Sequence, residues 1–263
     1  MFVQRNLTDF VETRNGNMYF EKAGTGFPVV LLHPLGMSTW VWKDIIRDLS
    51  ESYTTYAFDM LGHGKSDKPS NNFAIPDYAE ALDDACQILN IHRAHYIGNS
   101  VGACLAAEMA ASYPDRVDKL VLVGCPIYNI HDAQERIQSS FTDFDENNLP
   151  IPRTIDDLIN RTTFANPTQE LLELVNDSRN QAGEWVRHLS HSLNNYDLIS
   201  RLPFIKASKT LILYGDKDRL VTGNPILSNN IVRSSSIIMP DIAHIPQIED
   251  SNAFTHHLLE FLS

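Results

Sequence analysis

One serine sits where a turn of the backbone would lift its hydroxyl into the open. Gly98-Asn99-Ser100-Val101-Gly102 places Ser100 between two glycines. An apolar run, Ala94-His95-Tyr96-Ile97, precedes it, and a small-residue helical pattern, Ala103 to Ala111, follows. A strand, a sharp turn at a serine and a helix form an elbow that lifts the hydroxyl clear of a sheet. The glycines remove the Cβ atoms that would clash where the chain doubles back. The helix that starts behind the serine aims unpaired N–H groups at any negative charge that develops there.

A serine hydroxyl is a weak nucleophile at neutral pH. It needs a base, and the base needs an acid that fixes its tautomer and stabilises its cation. The chain has 10 histidines. His244, in Asp241-Ile242-Ala243-His244-Ile245-Pro246, is the one that follows an apolar strand pattern and precedes the last helix. His92 and His95 flank the elbow strand, His188 and His191 fall in a polar helical region, and His256 and His257 lie in the last helix. The acid is expected past the strand Thr210–Tyr214, where Asp216 and Asp218 compete. Asp218 is favoured because it lies further out on the loop; Asp in a tight turn, as at Asp216, commonly bonds its own backbone. Two backbone N–H groups are expected to hold the oxyanion: that of Val101, and that of Leu35, since Pro34 has none to give.

These groups need a scaffold. Residues 9–23 alternate about Asn15-Gly16 as a hairpin. Val29–His33, Thr54–Phe58, Ala94–Asn99 and Lys119–Val123 read as strands, with helices over Trp40–Leu49, Pro76–Asn90 and Ala103–Ser112 between them. Unbroken apolar runs such as Val29-Val30-Leu31-Leu32 suit strands buried on both faces of a parallel sheet. From Pro126 to Pro203 no strand is evident; polar helical pieces follow at Asp132–Ser139, Thr154–Asn160, Gln169–Asn180 and Gly183–Asn194. The strand pattern resumes at Thr210–Tyr214 and Ser236–Met239, and a helix over Ala253–Leu262 closes the chain. The expected fold class is α/β: a mostly parallel, doubly wound sheet, with residues 1–125 and 204–263 as the core and 126–203 as a helical cap insertion. Ligands of open α/β sheets bind outside the carboxyl ends of the strands, and this insertion leaves from that edge.

Composition excludes several classes. The chain has 263 residues, 43% hydrophobic and 21% charged, with a formal net charge of −12. That balance disfavours binding to a phosphate backbone, so no nucleic-acid partner is expected. Three scattered cysteines, Cys86, Cys104 and Cys125, carry no metal-ligand spacing, and adjacent His256 and His257 do not face one way on a helix. No metal and no cofactor is expected. Asp59–Ser66 is glycine-rich but lacks the Lys-Ser/Thr pair of a phosphate loop. Met1–Asn6 shows no basic stretch leading into an apolar one, and no apolar run approaches membrane-spanning length, so a cytoplasmic protein without a membrane span is expected. A homodimer is left open.

Together these stretches resemble the α/β-hydrolase superfamily in its small, capped branch. The resemblance rests on Leu31-Leu32-His33-Pro34-Leu35-Gly36, Asp59-Met60-Leu61-Gly62-His63-Gly64-Lys65-Ser66, Gly98–Gly102, Gly215-Asp216-Lys217-Asp218 and Ala243-His244, in that order along the chain. It implies an α/β-hydrolase fold and a serine hydrolase using Ser100, His244 and Asp218 on an ester, lactone or thioester of a small, apolar acyl group. Asn99 ahead of the nucleophile, with small residues behind it, resembles the elbow of carbon–carbon bond hydrolases that act on ring-fission products. A third reading is a ligand receptor that keeps the three residues with little turnover. A nucleophilic serine, in place of aspartate, sets aside the dehalogenase and epoxide-opening relatives. Asn99, Trp40, Cys125 and Trp185 are the expected pocket walls, with core packing the competing role for Trp40.

Overall fold

The computed structural model describes residues 7–263; residues 1–6, read above for a leader pattern, lie outside them. The hairpin forms as the Asn15-Gly16 turn requires, from β1 (Leu7–Thr13) and β2 (Gly16–Ala23). Then come β3 (Phe27–Leu32), α1 (Lys43–Leu49), β4 (Tyr53–Phe58), α2 (Ile75–Ile88), β5 (Ala94–Asn99), α3 (Val101–Ser112) and β6 (Val117–Val123). Five helices follow without a strand: α4 (Ala133–Ser140), α5 (Ile155–Asn160), α6 (Gln169–Ala182), α7 (Trp185–Asn194) and α8 (Leu198–Arg201). The chain ends with β7 (Lys209–Gly215), α9 (Asn224–Asn230), β8 (Ser234–Met239), α10 (Pro246–Glu249) and α11 (Ser251–Leu262).

The 8 strands form one sheet in the order β1-β2-β4-β3-β5-β6-β7-β8. Pairing is parallel from β4 to β8, while β1 and β2 run antiparallel at one edge. Period-two alternation sorts each strand between two cores. Val30 and Leu32 of β3 pack on the side of α2 and α3, and Val29 and Leu31 on the side of α1 and α11. Each such side chain taken fully out of water contributes about 1.5–3 kcal/mol.

Helix α3 is buried almost all round. Ala103, Ala106, Ala107 and Ala110 give it a surface thin enough to lie against β5 and β6. The approach is closest at the elbow, where a Cβ on Gly98 would overlap the Gly102 carbonyl and one on Gly102 would overlap the Leu32 carbonyl. Two starts of the polar helices are locally encoded. Thr154 and Asp157 cap each other reciprocally before α5, and Thr168 Oγ1 accepts from the Leu171 N–H at 3.2 Å before α6.

The structure departs from the sequence reading in small ways. Trp40–Leu49 is a tight turn over Thr39–Trp42 leading into α1, rather than one helix. Helices α9 and α10 were not expected; both are a turn or two long with proline near the start, too short for periodicity to register. Among the described residues no helix is long and apolar enough to cross a membrane.

Candidate active site

The elbow strains its serine. Ser100 has φ 58° and ψ −121°, a conformation that costs a non-glycine residue about 1–3 kcal/mol and clusters at functional sites. Its N–H donates to the Val123 carbonyl at 2.8 Å, which pins the turn to the end of β6. The N–H groups of Val101 and Leu35 have no acceptor among the described residues.

Asp218 and His244 come from the loops after β7 and β8. His244 Nδ1 and Asp218 Oδ2 lie 2.7 Å apart. Asp218 is buried, and its Oδ1 accepts from the Leu220 N–H at 2.9 Å. With the carboxylate at Nδ1, the proton belongs on Nδ1 and Nε2 is left as the basic nitrogen. Ser100, Asp218 and His244 all open on one cavity. Among the described residues Ser100 Oγ makes no hydrogen bond to His244; such bonds are often long until substrate binds. Asp216, the competing acid, is exposed on the surface side of its turn.

The loop after β3 is held from below by His33. Its Nδ1–H donates to the Pro34 carbonyl at 2.8 Å, and its Nε2 accepts from the Met60 N–H at 2.9 Å. Both contacts require a neutral ring, and burial pushes its pKa down to about 4. Asp59 ties the same region together, accepting from the Thr39 N–H at 2.7 Å and the Lys65 N–H at 2.8 Å.

The cavity measures about 480 Å³, within the range that holds small ligands. Leu35, Met37, Leu158 and Val175 give it apolar wall, but five arginines also line it: Arg136, Arg153, Arg161, Arg179 and Arg219. That is more cationic than an apolar acyl group requires. Arg153 and Arg161 both grip Asp143, at 2.9 and 2.6 Å. Burial pushes the Asp143 carboxyl up, and the two guanidinium groups outweigh it and hold it below the usual carboxylate range. Four of these arginines come from the segment between β6 and β7, so that segment and the sheet edge share the cavity.

The four expected pocket walls lie elsewhere. Asn99 is fully buried under His244: its Nδ2 donates to the Val123 and His244 carbonyls at 3.1 Å each, and its Oδ1 accepts from Gln247 Nε2 at 3.1 Å. Trp40 Nε1 donates to Ser178 Oγ at 2.8 Å, fastening α6 to the loop after β3. Cys125 is fully buried beside Cys104, and burial pushes its thiol up, away from a reactive thiolate. Trp185 lies on Gly62, where an added Cβ would come within 2.7 Å of its ring.

Several contributing residues carried no sequence signal. Glu249 accepts from the Ala165 N–H at 2.7 Å and the Ala243 N–H at 3.0 Å, joining the segment between β6 and β7 to the His244 loop. The Thr162 carbonyl accepts from the His244 N–H at 3.1 Å, and Thr162 Oγ1 accepts from the Arg219 N–H at 3.1 Å. Gly124, with φ 52°, lies against the His–Asp pair. The glycine after β6 was visible in the sequence; what it faces was not. Among the described residues no group of three or more His, Cys, Asp or Glu side chains could hold a metal ion.

Comparison with known proteins gives the family. The family model for the alpha/beta hydrolase fold matches residues 28–251. An uncharacterized protein of Mycobacterium tuberculosis is 36% identical over 104 residues, a match that takes in 40% of this chain and only 30% of that protein. The pimeloyl-[acyl-carrier protein] methyl ester esterase of Pectobacterium carotovorum is 28% identical over 258 residues, covering 93% of this chain and 98% of that one. The 2-hydroxy-6-oxo-6-(2'-aminophenyl)hexa-2,4-dienoic acid hydrolase of Metapseudomonas resinovorans is 29% identical over 268 residues, covering 96% and 88%. Among solved structures, a membrane phospholipase A described as a bacterial virulence factor superposes with a TM-score of 0.83 at 25% identity, covering 98% of this chain and 86% of that one.

Proposed function

The chain belongs to the alpha/beta hydrolase fold family, and we propose that it is a serine hydrolase that opens a carboxylic ester, lactone or thioester through Ser100, His244 and Asp218. The observation that carries this reading is the 2.7 Å His244–Asp218 pair opening on the same cavity as a strained serine. Ser100 Oγ attacks the carbonyl carbon while its proton passes to His244 Nε2. The carbonyl oxygen, now anionic, takes hydrogen bonds from the Val101 and Leu35 N–H groups; one such donor is worth about 3 kcal/mol in sites of this kind. His244 then gives its proton to the departing alcohol or thiol, leaving an acyl-serine. A water molecule repeats the sequence: His244 takes its proton, the new C–O bond forms, and Ser100 leaves with the proton returned. Asp218 stabilises the imidazolium in both halves. The segment 126–203 serves as a cap that closes the far wall of the cavity.

Ser100→Ala is expected to abolish turnover of short p-nitrophenyl esters and labelling by a fluorophosphonate. Retention of either would remove Ser100 as nucleophile. Asp218→Asn is expected to lower kcat by about 10⁴-fold, because the amide favours the wrong histidine tautomer.

A second reading keeps the same three residues on a carbon–carbon bond. It is supported by the resemblance along nearly the whole chain to a dienoic acid hydrolase. Loss of the visible absorbance of a ring-fission dienol, faster than ester turnover, would select it.

A further inference from the structure

We infer that the substrate carries an anionic group of its own, a carboxylate on the acid side of the ester, and that Arg179 receives it. The inference rests on the serine-hydrolase reading and names the substrate class of that site. The chain as a whole is acidic, at −12, yet five of its 21 Lys and Arg residues line this one cavity.

Most of that positive charge is already engaged. Arg153 and Arg161 hold Asp143. Arg136 spends its donors on Asn194 and the Asn129 carbonyl and lies over the Tyr128 ring at 4.6 Å. Arg219 is exposed. Asp157, the other acid near the cluster, caps α5 through the Thr154 N–H and Oγ1.

Arg179 is what remains. It is only 9% exposed, pairs with no carboxylate among the described residues, and has no acceptor for its Nε. Among the described residues its guanidinium makes one hydrogen bond, from Nη2 to the Ile151 carbonyl at 3.5 Å, the outer limit of such a contact. Burial first, and then the neighbouring Arg153, push its pKa down to about 10, so it stays charged at neutral pH. A buried cation without a counter-ion is costly, and a polar group left unpaired in a ligand cavity points to the ligand as partner.

Position supplies the rest. A Cβ built on Gly36 would lie 3.1 Å from Arg179 Cγ and 3.7 Å from its Nη1. The guanidinium is therefore against the loop that carries the Leu35 N–H, close to where the scissile carbonyl must sit. The apolar walls formed by Leu35, Met37, Leu158 and Val175 suit a short methylene chain between carbonyl and carboxylate. The structure thus selects half-esters of short dicarboxylic acids.

The test compares monomethyl with dimethyl esters of succinic, glutaric and adipic acids on the full chain. For at least one chain length the half-ester is expected to exceed the diester by about tenfold or more in kcat/KM, chiefly through KM, as a charge-assisted pair provides. Arg179→Met is expected to bring that ratio near one, and Arg179→Lys to restore part of it. A wild-type ratio near one at every length overturns the inference. So does an Arg179→Met variant that loses kcat equally on both esters, which would place the guanidinium on the oxyanion instead. If Arg179→Met fails to fold, calorimetry on Ser100→Ala decides: tighter binding of monomethyl than dimethyl glutarate supports the anion site, and equal binding overturns it. Failure of the reaction reading is separate, seen as absent fluorophosphonate labelling and no opening of any ester, and the binding comparison still reads the anion.

Discussion

Asn99 lies beneath the proposed reacting groups. Its side-chain amide holds the carbonyls of Val123 and His244 at once and takes a bond from Gln247. It thereby couples the end of the elbow strand to the loop that presents the proposed base. Truncation to alanine leaves the His244 carbonyl and the Gln247 amide unpaired in the interior, at about 1–3 kcal/mol each where water cannot reach them, while the Val123 carbonyl keeps the Ser100 N–H. Asn99→Ala is expected to lose about 3 kcal/mol in urea unfolding and about tenfold in kcat with KM little changed, because His244 shifts while the cavity walls stay. A variant that keeps wild-type kcat would show that Glu249 and Thr162 suffice to hold the His244 loop. The meeting of Ser100, His244 and Asp218, the proposed nucleophile, base and acid, was legible in sequence because each falls just after a strand, where the backbone dictates position. Asn99 was read as a pocket wall because it adjoins Ser100. Strand parity was the better guide: Ile97 packs into the core on the α1 and α11 side, and Asn99, two residues on, points the same way toward α10.

The ends of β6 and β7 shape the site as much as any side chain. Gly124, just past β6, donates its N–H to the Leu213 carbonyl at 2.8 Å with φ 52°. A Cβ there would stand 2.8 Å from His244 Nδ1 and 3.1 Å from Asp218 Oδ2. Gly124→Ala therefore combines backbone strain of about 1–3 kcal/mol with pressure on the His244–Asp218 pair, the proposed base and acid. Since a shift of about 1 Å in a catalytic group can cost 10²-fold, kcat is expected to fall about 10–100-fold while the fold survives. Fluorophosphonate labelling rate set against urea midpoint checks this; a variant that loses stability alone would mean that the pair relaxes around the methyl group. At this scale the parallel strands of the sheet were legible from their apolar runs, and the helices α4 to α7 as polar helical pieces with no strand among them. The cationic wall was not. Arg136 lies on α4, Arg153 before α5, Arg161 after it and Arg179 on α6, so no local spacing links them. They meet only at the cavity that Ser100 and His244 also line, a juxtaposition that nothing in the order of the residues announces.

Over the whole molecule, the acidic surface and the cationic cavity are balanced by buried groups that must stay neutral, and this sets how the fold responds to acid. Burial pushes His33 down to about 4 from an ordinary 6.5. Burial, with His33 beside it at a ring distance of 5.5 Å, pushes His63 down to about 3. Neither ring can take a proton without cost: His33 would lose the Met60 N–H it accepts, and His63 has no partner for either nitrogen among the described residues. A histidine with a depressed native pKa contributes stability that is full above about pH 6.5 and is lost as pH falls toward the native value. Unfolding near pH 5 thus takes up about two protons at these rings, each worth about 1.4 kcal/mol per pH unit. Asp59 works against them. Burial raises it to about 6, so the native state keeps a proton there that the unfolded chain releases, and its contribution favours the fold as pH drops. The histidines prevail by about one proton. His95, which burial also pushes down to about 4, adds about one more proton, so stability from urea unfolding is expected to fall by about 5 kcal/mol between pH 8 and pH 5. The decline belongs to the scaffold, in its larger part to His33 and His63 under the Leu35 loop, so it should track loss of folded protein by circular dichroism and appear equally in Ser100→Ala. A profile flat over that range would mean that both rings are wet or already charged in the native protein, and the loop would then need another support.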